Sequence, residues 1–159
     1  MKNNSWAALL VLLVCLASTV GDLAAADNIS KVANVSSPAE TSQPDVRMLF
    51  ERYKAMDLAN NPQLICLYRD DANINIVGTP YTKASYGQYL TAAYRSAGAA
   101  INSHTNYSLP EIQPVSSDTC QVKFLGTLGA AVMTVYWTVK KNRYGVWQIA
   151  SERFVNGRH

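Results

Sequence analysis

The feature that most constrains this chain is a change of hydrophobic period after Gly98. Before it, apolar residues recur at steps of three and four, which is typical of amphipathic helices. After it, apolar and polar residues alternate, which is typical of strands with one buried face. Helices that come first and strands that come last predict an α+β fold, in which the helices pack on one face of a mainly antiparallel sheet.

Three helices are predicted. The first begins near Asp45, ends before Pro62 and has an apolar stripe made of Val46, Leu49, Phe50 and Tyr53. The second is a short apolar helix over residues 63–68, which Pro62 suits because a proline lacks the N–H that a first turn leaves unpaired. The third runs from about 84 to 97, and Gly98 is expected to stop it.

One strand is predicted between the second and third helices, over residues 73–77, and four follow the third helix, over 102–112, 118–127, 130–140 and 144–155. The 130–140 strand is apolar on both phases: Val132 and Tyr136 share one face, and Val135 and Trp137 share the other. Only one of these faces can pack on the helices. The other would expose an apolar patch, so the sequence predicts a homodimer through the outer face of the sheet.

The first 26 residues are predicted to be a secretory signal peptide, because Lys2 precedes an apolar run over 6–20 that ends near Ala24-Ala25-Ala26. A membrane anchor is the alternative, but this run is shorter than the roughly 20 residues that a spanning helix needs. Residues 27–44 are predicted to be a disordered leader, 45–156 the domain and 157–159 a tail. We therefore expect an exported protein, periplasmic or secreted, with no stable membrane span after cleavage.

Composition and motifs argue against several classes of function. A net charge of +3 over 159 residues is too small and dispersed for a nucleic-acid binder, and neither a Gly-rich phosphate loop nor a nucleophile elbow is present. The two cysteines outside the signal peptide, Cys66 and Cys120, form a candidate disulfide, with two buried thiols as the alternative. Neither cysteines nor histidines have metal-ligand spacing, so we predict no metal site and no cofactor.

The order of elements resembles the nuclear transport factor 2-like superfamily, which includes the SnoaL-like and ketosteroid isomerase families. The resemblance covers about residues 45–155 and is carried by Leu-Phe-Glu-Arg-Tyr at 49–53, Leu-Tyr-Arg-Asp-Asp-Ala at 67–72, Gly78 and Gly-Val-Trp-Gln-Ile at 145–149. It implies a cone-shaped fold, with three N-terminal helices packed on a strongly curved sheet and a cavity between the two layers.

Most catalytic residues of ketosteroid isomerases have no counterpart in this sequence. The resemblance puts Tyr53 where those enzymes have a tyrosine that donates to the developing oxyanion. Their general base would fall near Ile76, beside Asn75, and neither side chain can remove a proton. The acid that completes their oxyanion hole belongs on a late strand, and residues 130–139 contain no carboxylate. We therefore expect no isomerase activity of this type, and the catalytic residues stay unknown.

A candidate ligand cavity remains. Tyr53 and Asp57 lie one helical turn apart and would supply a hydroxyl donor and a carboxylate, and the proposed walls are Tyr68, Tyr89 and Trp137. The main hypothesis is an exported, non-catalytic domain that binds a small apolar or amphipathic ligand. The alternatives are a SnoaL-like isomerase, cyclase or hydrolase that uses Asp57 and Tyr53, and an interaction or assembly domain of an envelope or secretion complex.

Overall fold

The computed structural model describes residues 43–102 and 105–159, with the backbone alone over 97–102. Its helices are α1 (Gln43–Leu58), a short 3-10 helix (Pro62–Leu67) and α2 (Lys83–Asn102), so the three predicted helices are confirmed. The side chain of Asn61 caps the 3-10 helix by accepting a hydrogen bond of 3.0 Å from the Gln63 N–H. Within the described ranges, no helix is long and apolar enough to cross a membrane.

The predicted signal peptide and residues 27–42 of the predicted leader lie outside the described residues. Gln43 and Pro44, the last two residues of that leader, belong to α1, so the first helix begins before Asp45. At the other end, the predicted tail contacts the domain, since the Gly157 N–H donates to the Val132 carbonyl at 2.9 Å.

Seven strands form one sheet: β1 (Tyr68–Ile76), β2 (Thr79–Tyr81), β3 (Thr105–Tyr107), β4 (Glu111–Ser116), β5 (Thr119–Leu128), β6 (Ala131–Lys141) and β7 (Trp147–Asn156). The strand order is β2-β1-β7-β6-β5-β3, and β4 pairs with β5 as well. Strands β1 and β7 run parallel, whereas the other pairs are antiparallel. The domain is therefore α+β, with a mixed and mostly antiparallel sheet.

Several predicted boundaries are wrong. Strand β1 begins at Tyr68 and not at residue 73, and β2 was not predicted. Helix α2 continues through Gly98 to Asn102, and the predicted strand over 102–112 is the end of this helix followed by the short strands β3 and β4. Glycine inside a helix costs only about 1 kcal/mol relative to alanine, and the alanines on both sides of Gly98 favour continuation. Pro110 lies between β3 and β4, where it cannot donate to a strand partner.

Aromatic side chains fill the space between the helices and the sheet. Phe124 of β5 lies in edge contact with Phe50 and Trp137, with ring centroids 5.0 Å and 4.8 Å apart. Tyr53 of α1 meets Trp137 at 4.8 Å. The sheet is not strongly curled, so the predicted strong curvature is wrong, and these rings occupy the space in which an open cone was expected.

The outer face of β6 differs from its prediction. Val135, Trp137 and Val139 are buried against the helices. On the opposite phase, the buried Thr134 donates its hydroxyl to the Gly157 carbonyl at 2.7 Å, and the Arg153 guanidinium covers Tyr136 at 4.7 Å from the ring centroid. The outer face is therefore less apolar than expected. The homodimer itself stays a prediction.

The predicted disulfide between Cys66 and Cys120 is not formed in the structure. Cys66 is exposed on the 3-10 helix, where its thiol donates to the Gln63 side-chain oxygen at 3.3 Å. Cys120 is buried in β5, on the same phase as Val122. The two thiols therefore lie in different environments, one exposed on the 3-10 helix and one buried in the sheet.

Candidate functional site

A β-bulge in β7 turns an acidic side chain into the interior. Val139 faces Ile149 and Thr138 faces Ser151, so Ala150 is an extra residue in the β6–β7 ladder. Strict alternation from Ile149 would turn Ser151 inward and Glu152 outward. The extra residue reverses the phase, and Glu152 points to the interior opposite Trp137.

Glu152 is almost completely buried, with 1% of its surface exposed. The Tyr68 hydroxyl donates to its Oε2 atom at 2.6 Å, and the Trp137 indole Nε1–H donates to Oε1 at 2.7 Å. Burial raises the pKa of Glu152 to about 7, although these hydrogen bonds and the nearby Tyr53 hydroxyl favour the charged form. This carboxyl can therefore gain or lose a proton near neutral pH.

A second carboxylate lies at the end of α1. Asp57 is half-buried, and the Tyr94 hydroxyl of α2 donates to its Oδ1 atom at 2.6 Å. The Tyr107 hydroxyl of β3 donates to its Oδ2 atom. Asp57 thus joins α1, α2 and β3. Every oxygen of the two carboxyl groups accepts a hydrogen bond from an aromatic side chain.

The tyrosines of this network stay protonated. Burial raises the pKa of Tyr53, Tyr68, Tyr94 and Tyr107 above the usual value, and the neighbouring carboxylates raise it further. Their hydroxyls therefore keep the hydrogens that they donate. The four ion pairs of the described residues involve other acids: Glu51, Asp70, Asp71 and Glu111.

The predicted site residues fall into three places. Tyr53, Tyr68 and Trp137 surround Glu152, and Asp57 belongs to the cluster with Tyr94 and Tyr107. Tyr89 lies away from both acids. It stacks on Tyr86 with ring centroids 5.9 Å apart and contacts Tyr81 at 5.4 Å, and Tyr86 connects this stack to Tyr68.

Sequence reasoning missed Glu152, Tyr94 and Tyr107. Helical spacing could have indicated Tyr94, because it follows Tyr86 and Leu90 at steps of four on the face that α2 buries. Glu152 gave no such signal, since alternation along β7 predicts the opposite face unless the bulge is known.

The candidate site is closed in this structure. Two shallow surface concavities of the described part lie between the 3-10 helix and α2. The larger has a volume of about 550 Å³ and is lined by Ile65, Gly87 and Arg95 among others. Neither touches Glu152 or Asp57. Across the described residues, no group of three or more His, Cys, Asp or Glu side chains is placed to hold a metal ion.

No family model matches the sequence, and no curated protein matches it. Solved structures do match. An uncharacterized protein with a cystatin-like fold from Caulobacter vibrioides is 13% identical with a TM-score of 0.62, covering 74% of this chain and 91% of its own. A nuclear transport factor 2-like protein of unknown function from Shewanella baltica is 9% identical with a TM-score of 0.61, covering 76% and 97%.

A ketosteroid isomerase-like protein from Erwinia carotovora atroseptica is 18% identical with a TM-score of 0.55, covering 74% of this chain and 98% of its own. At these identities the likeness concerns the path of the backbone and carries no activity with it. The same helix and strand order, over nearly the whole length of each structure, shows that this domain has the nuclear transport factor 2-like fold.

Proposed function

We propose that this chain is an exported, non-catalytic domain that binds a small apolar or amphipathic ligand between its helices and its sheet, beside Glu152 and Asp57. The observation that carries the proposal is the buried carboxyl of Glu152, which neutral donors hold inside an aromatic interior. Burying an acid costs stability unless it is compensated, and a bulge is needed to turn it inward. Such polar groups among aromatic walls are typical of ligand sites.

The half-buried end of the network supports a route of entry. Glu152 is sealed, whereas Asp57, Tyr94 and Tyr107 each keep part of their surface exposed. We propose that a ligand enters at this half-buried end, where Tyr94 of α2 and Tyr107 of β3 lie on different elements and meet at Asp57. Export, which the predicted signal peptide supports, would place this binding in the periplasm or outside the cell.

Indole N–H resonances of the full chain test the proposal. Naphthylmethanol is a suitable amphipathic probe, and we expect it to shift the Trp137 indole resonance in a saturable way. Trp147 is the internal control, because its buried indole N–H has no hydrogen-bond partner among the described residues. If naphthylmethanol perturbs only residues of the surface concavity lined by Ile65, Gly87 and Arg95, the proposal of interior binding is wrong. The filled interior then favours the alternative of an interaction or assembly domain.

A proton-transfer enzyme is the second candidate, and the near-neutral pKa of Glu152 favours it. In this version Glu152, not Asp57, exchanges the proton, and the protonated Tyr68 and Tyr53 stabilise the charge that develops. Hydrogen–deuterium exchange at the α-carbon of a ketone such as tetralone tests it by NMR. An enzyme should accelerate the exchange and lose that effect in Glu152→Gln, whereas the non-catalytic proposal predicts equal rates with and without protein.

A further inference from the structure

The polar hydrogen atoms around Glu152 and Asp57 already take part in hydrogen bonds. A tyrosine hydroxyl has one hydrogen, and an indole has one N–H. Those of Tyr68 and Trp137 go to Glu152, and those of Tyr94 and Tyr107 go to Asp57. A molecule that enters beside Asp57 therefore meets carboxylate oxygens with a spare lone pair and tyrosine oxygens that can only accept.

This inventory decides which ligands gain hydrogen bonds. A ligand that donates adds bonds without breaking any. A carbonyl or carboxylate ligand must take a hydrogen away from Asp57, and leaving a buried acceptor unpaired is unfavourable, most of all for a charged group. A negatively charged ligand is also repelled by the Asp57 carboxylate. The hydroxyl of Tyr53, which the sequence predicted to be a donor to the ligand, faces Glu152 as well.

The residues around Asp57 favour a positively charged ligand. Phe124 and Trp137 present rings beside Tyr53, and Tyr107 contacts both Tyr53 and Phe124 at 6.3 Å and 6.0 Å between ring centroids. The Asp57 carboxylate at the half-buried end supplies the negative charge that would recognise an ammonium group. These rings also offer apolar contact to an aromatic body.

We infer that the site selects hydrogen-bond donors, and that the ligand class it favours is a protonated primary amine carried on an aromatic body, with the ammonium group on Asp57. The inference rests on the proposed function, since it names the ligand class of the same interior site. Charge-assisted hydrogen bonds are about twice as strong as neutral ones, so the amine is preferred over the matching alcohol.

Three probes of the same shape test this inference on the full chain: naphthylmethylamine, naphthylmethanol and naphthoate. We expect the amine to bind about tenfold more tightly than the alcohol, which corresponds to about 1.4 kcal/mol, and naphthoate not to bind. Asp57→Asn should remove the preference for the amine, so that the amine binds no more tightly than the alcohol. Tyr94→Phe, which frees an oxygen of Asp57, should keep the amine bound at least as tightly as before.

Two results overturn the inference and are distinguishable. Equal affinity for amine and alcohol, or tighter binding of naphthoate, contradicts the selection of donors while the interior binding of the proposed function stands. Failure of all three probes to shift the Trp137 indole resonance contradicts the proposed function and the inference together. Loss of the amine preference in Tyr94→Phe contradicts the inference even if Asp57→Asn does not fold.

Discussion

Trp137 and Glu152 face each other across β6 and β7, and the indole N–H of one donates to the carboxyl of the other at 2.7 Å. The pair lies at the centre of the sheet, with Tyr53 on the Trp137 ring and Tyr68 on the second carboxyl oxygen. A buried acid in this position ties the packing of α1 to the pairing of the last two strands. Its hydrogen bonds therefore affect the stability of the domain.

Replacing Trp137 by phenylalanine should destabilise the domain by roughly 2–4 kcal/mol, because Glu152 loses a donor and the core loses volume. Trp147→Phe is the matched control. It removes an indole N–H that is buried without a partner among the described residues, so we expect a loss of only about 1 kcal/mol. Urea unfolding measures both, and equal losses would contradict the structural role of the Trp137–Glu152 bond.

The β7 bulge should be essential. Deleting Ala150 would leave a regular ladder, in which Ile149 and Glu152 lie on opposite faces of the sheet. The side chains on one side of the deletion would then have to exchange their buried and exposed positions. We expect a loss above about 4 kcal/mol or failure to fold. Ala150→Ser keeps the extra residue and should change stability by less than about 1 kcal/mol. A deletion variant with the stability of the wild type and an unchanged NMR spectrum would show that the bulge is dispensable.

The period of the apolar residues predicted the helices and most strands. Elements such as α1, β5 and β6 bury one face, so their apolar residues recur at the period of a helix or a strand. The sequence could also place Tyr53 and Asp57 on one helix, since helix geometry alone determines their spacing. It could not place Glu152, because a single unpaired residue reverses the phase of β7. Nor could it foresee the closed interior, which depends on how Phe50, Phe124 and Trp137 pack against one another.

Export should leave a mature chain that begins at or close to Asp27, because the small residues at 24–26 suit signal peptidase. Expression of the chain with its predicted signal peptide, followed by intact-mass analysis of periplasmic and secreted fractions, measures this. Ala24→Leu and Ala26→Leu together should block cleavage. A soluble cytosolic protein that retains Met1 would contradict the prediction.

The homodimer is tested by light scattering at tens of micromolar protein, where we expect about twice the monomer mass. Leu125, Val132 and Val155 are the apolar side chains that share the outward phase with Thr134 and Tyr136. A lysine in place of Val132 should therefore separate the subunits. Val115→Lys, at an exposed position on β4, is the control and should leave the mass unchanged. A monomeric wild-type protein would contradict the dimer.

The pH dependence of stability should report the charge of Glu152. Its pKa in the folded protein is raised to about 7 from an ordinary value of 4.5, so folding favours the protonated form. The stabilisation is complete below the ordinary pKa and is lost as the pH rises through about 7. The full loss is up to about 3 kcal/mol, because one pKa unit corresponds to about 1.4 kcal/mol.

Glu152→Gln should remove this dependence, since glutamine resembles the protonated acid. Its amide oxygen can accept from Trp137, and its amide N–H can donate to Tyr68 when that hydroxyl turns to accept. In urea unfolding at about pH 5 and pH 8, the wild type should weaken relative to Glu152→Gln as the pH rises. Glu111→Gln, at an exposed position on β4, should keep the wild-type profile. Parallel profiles for wild type and Glu152→Gln would mean that Glu152 does not change charge in this range.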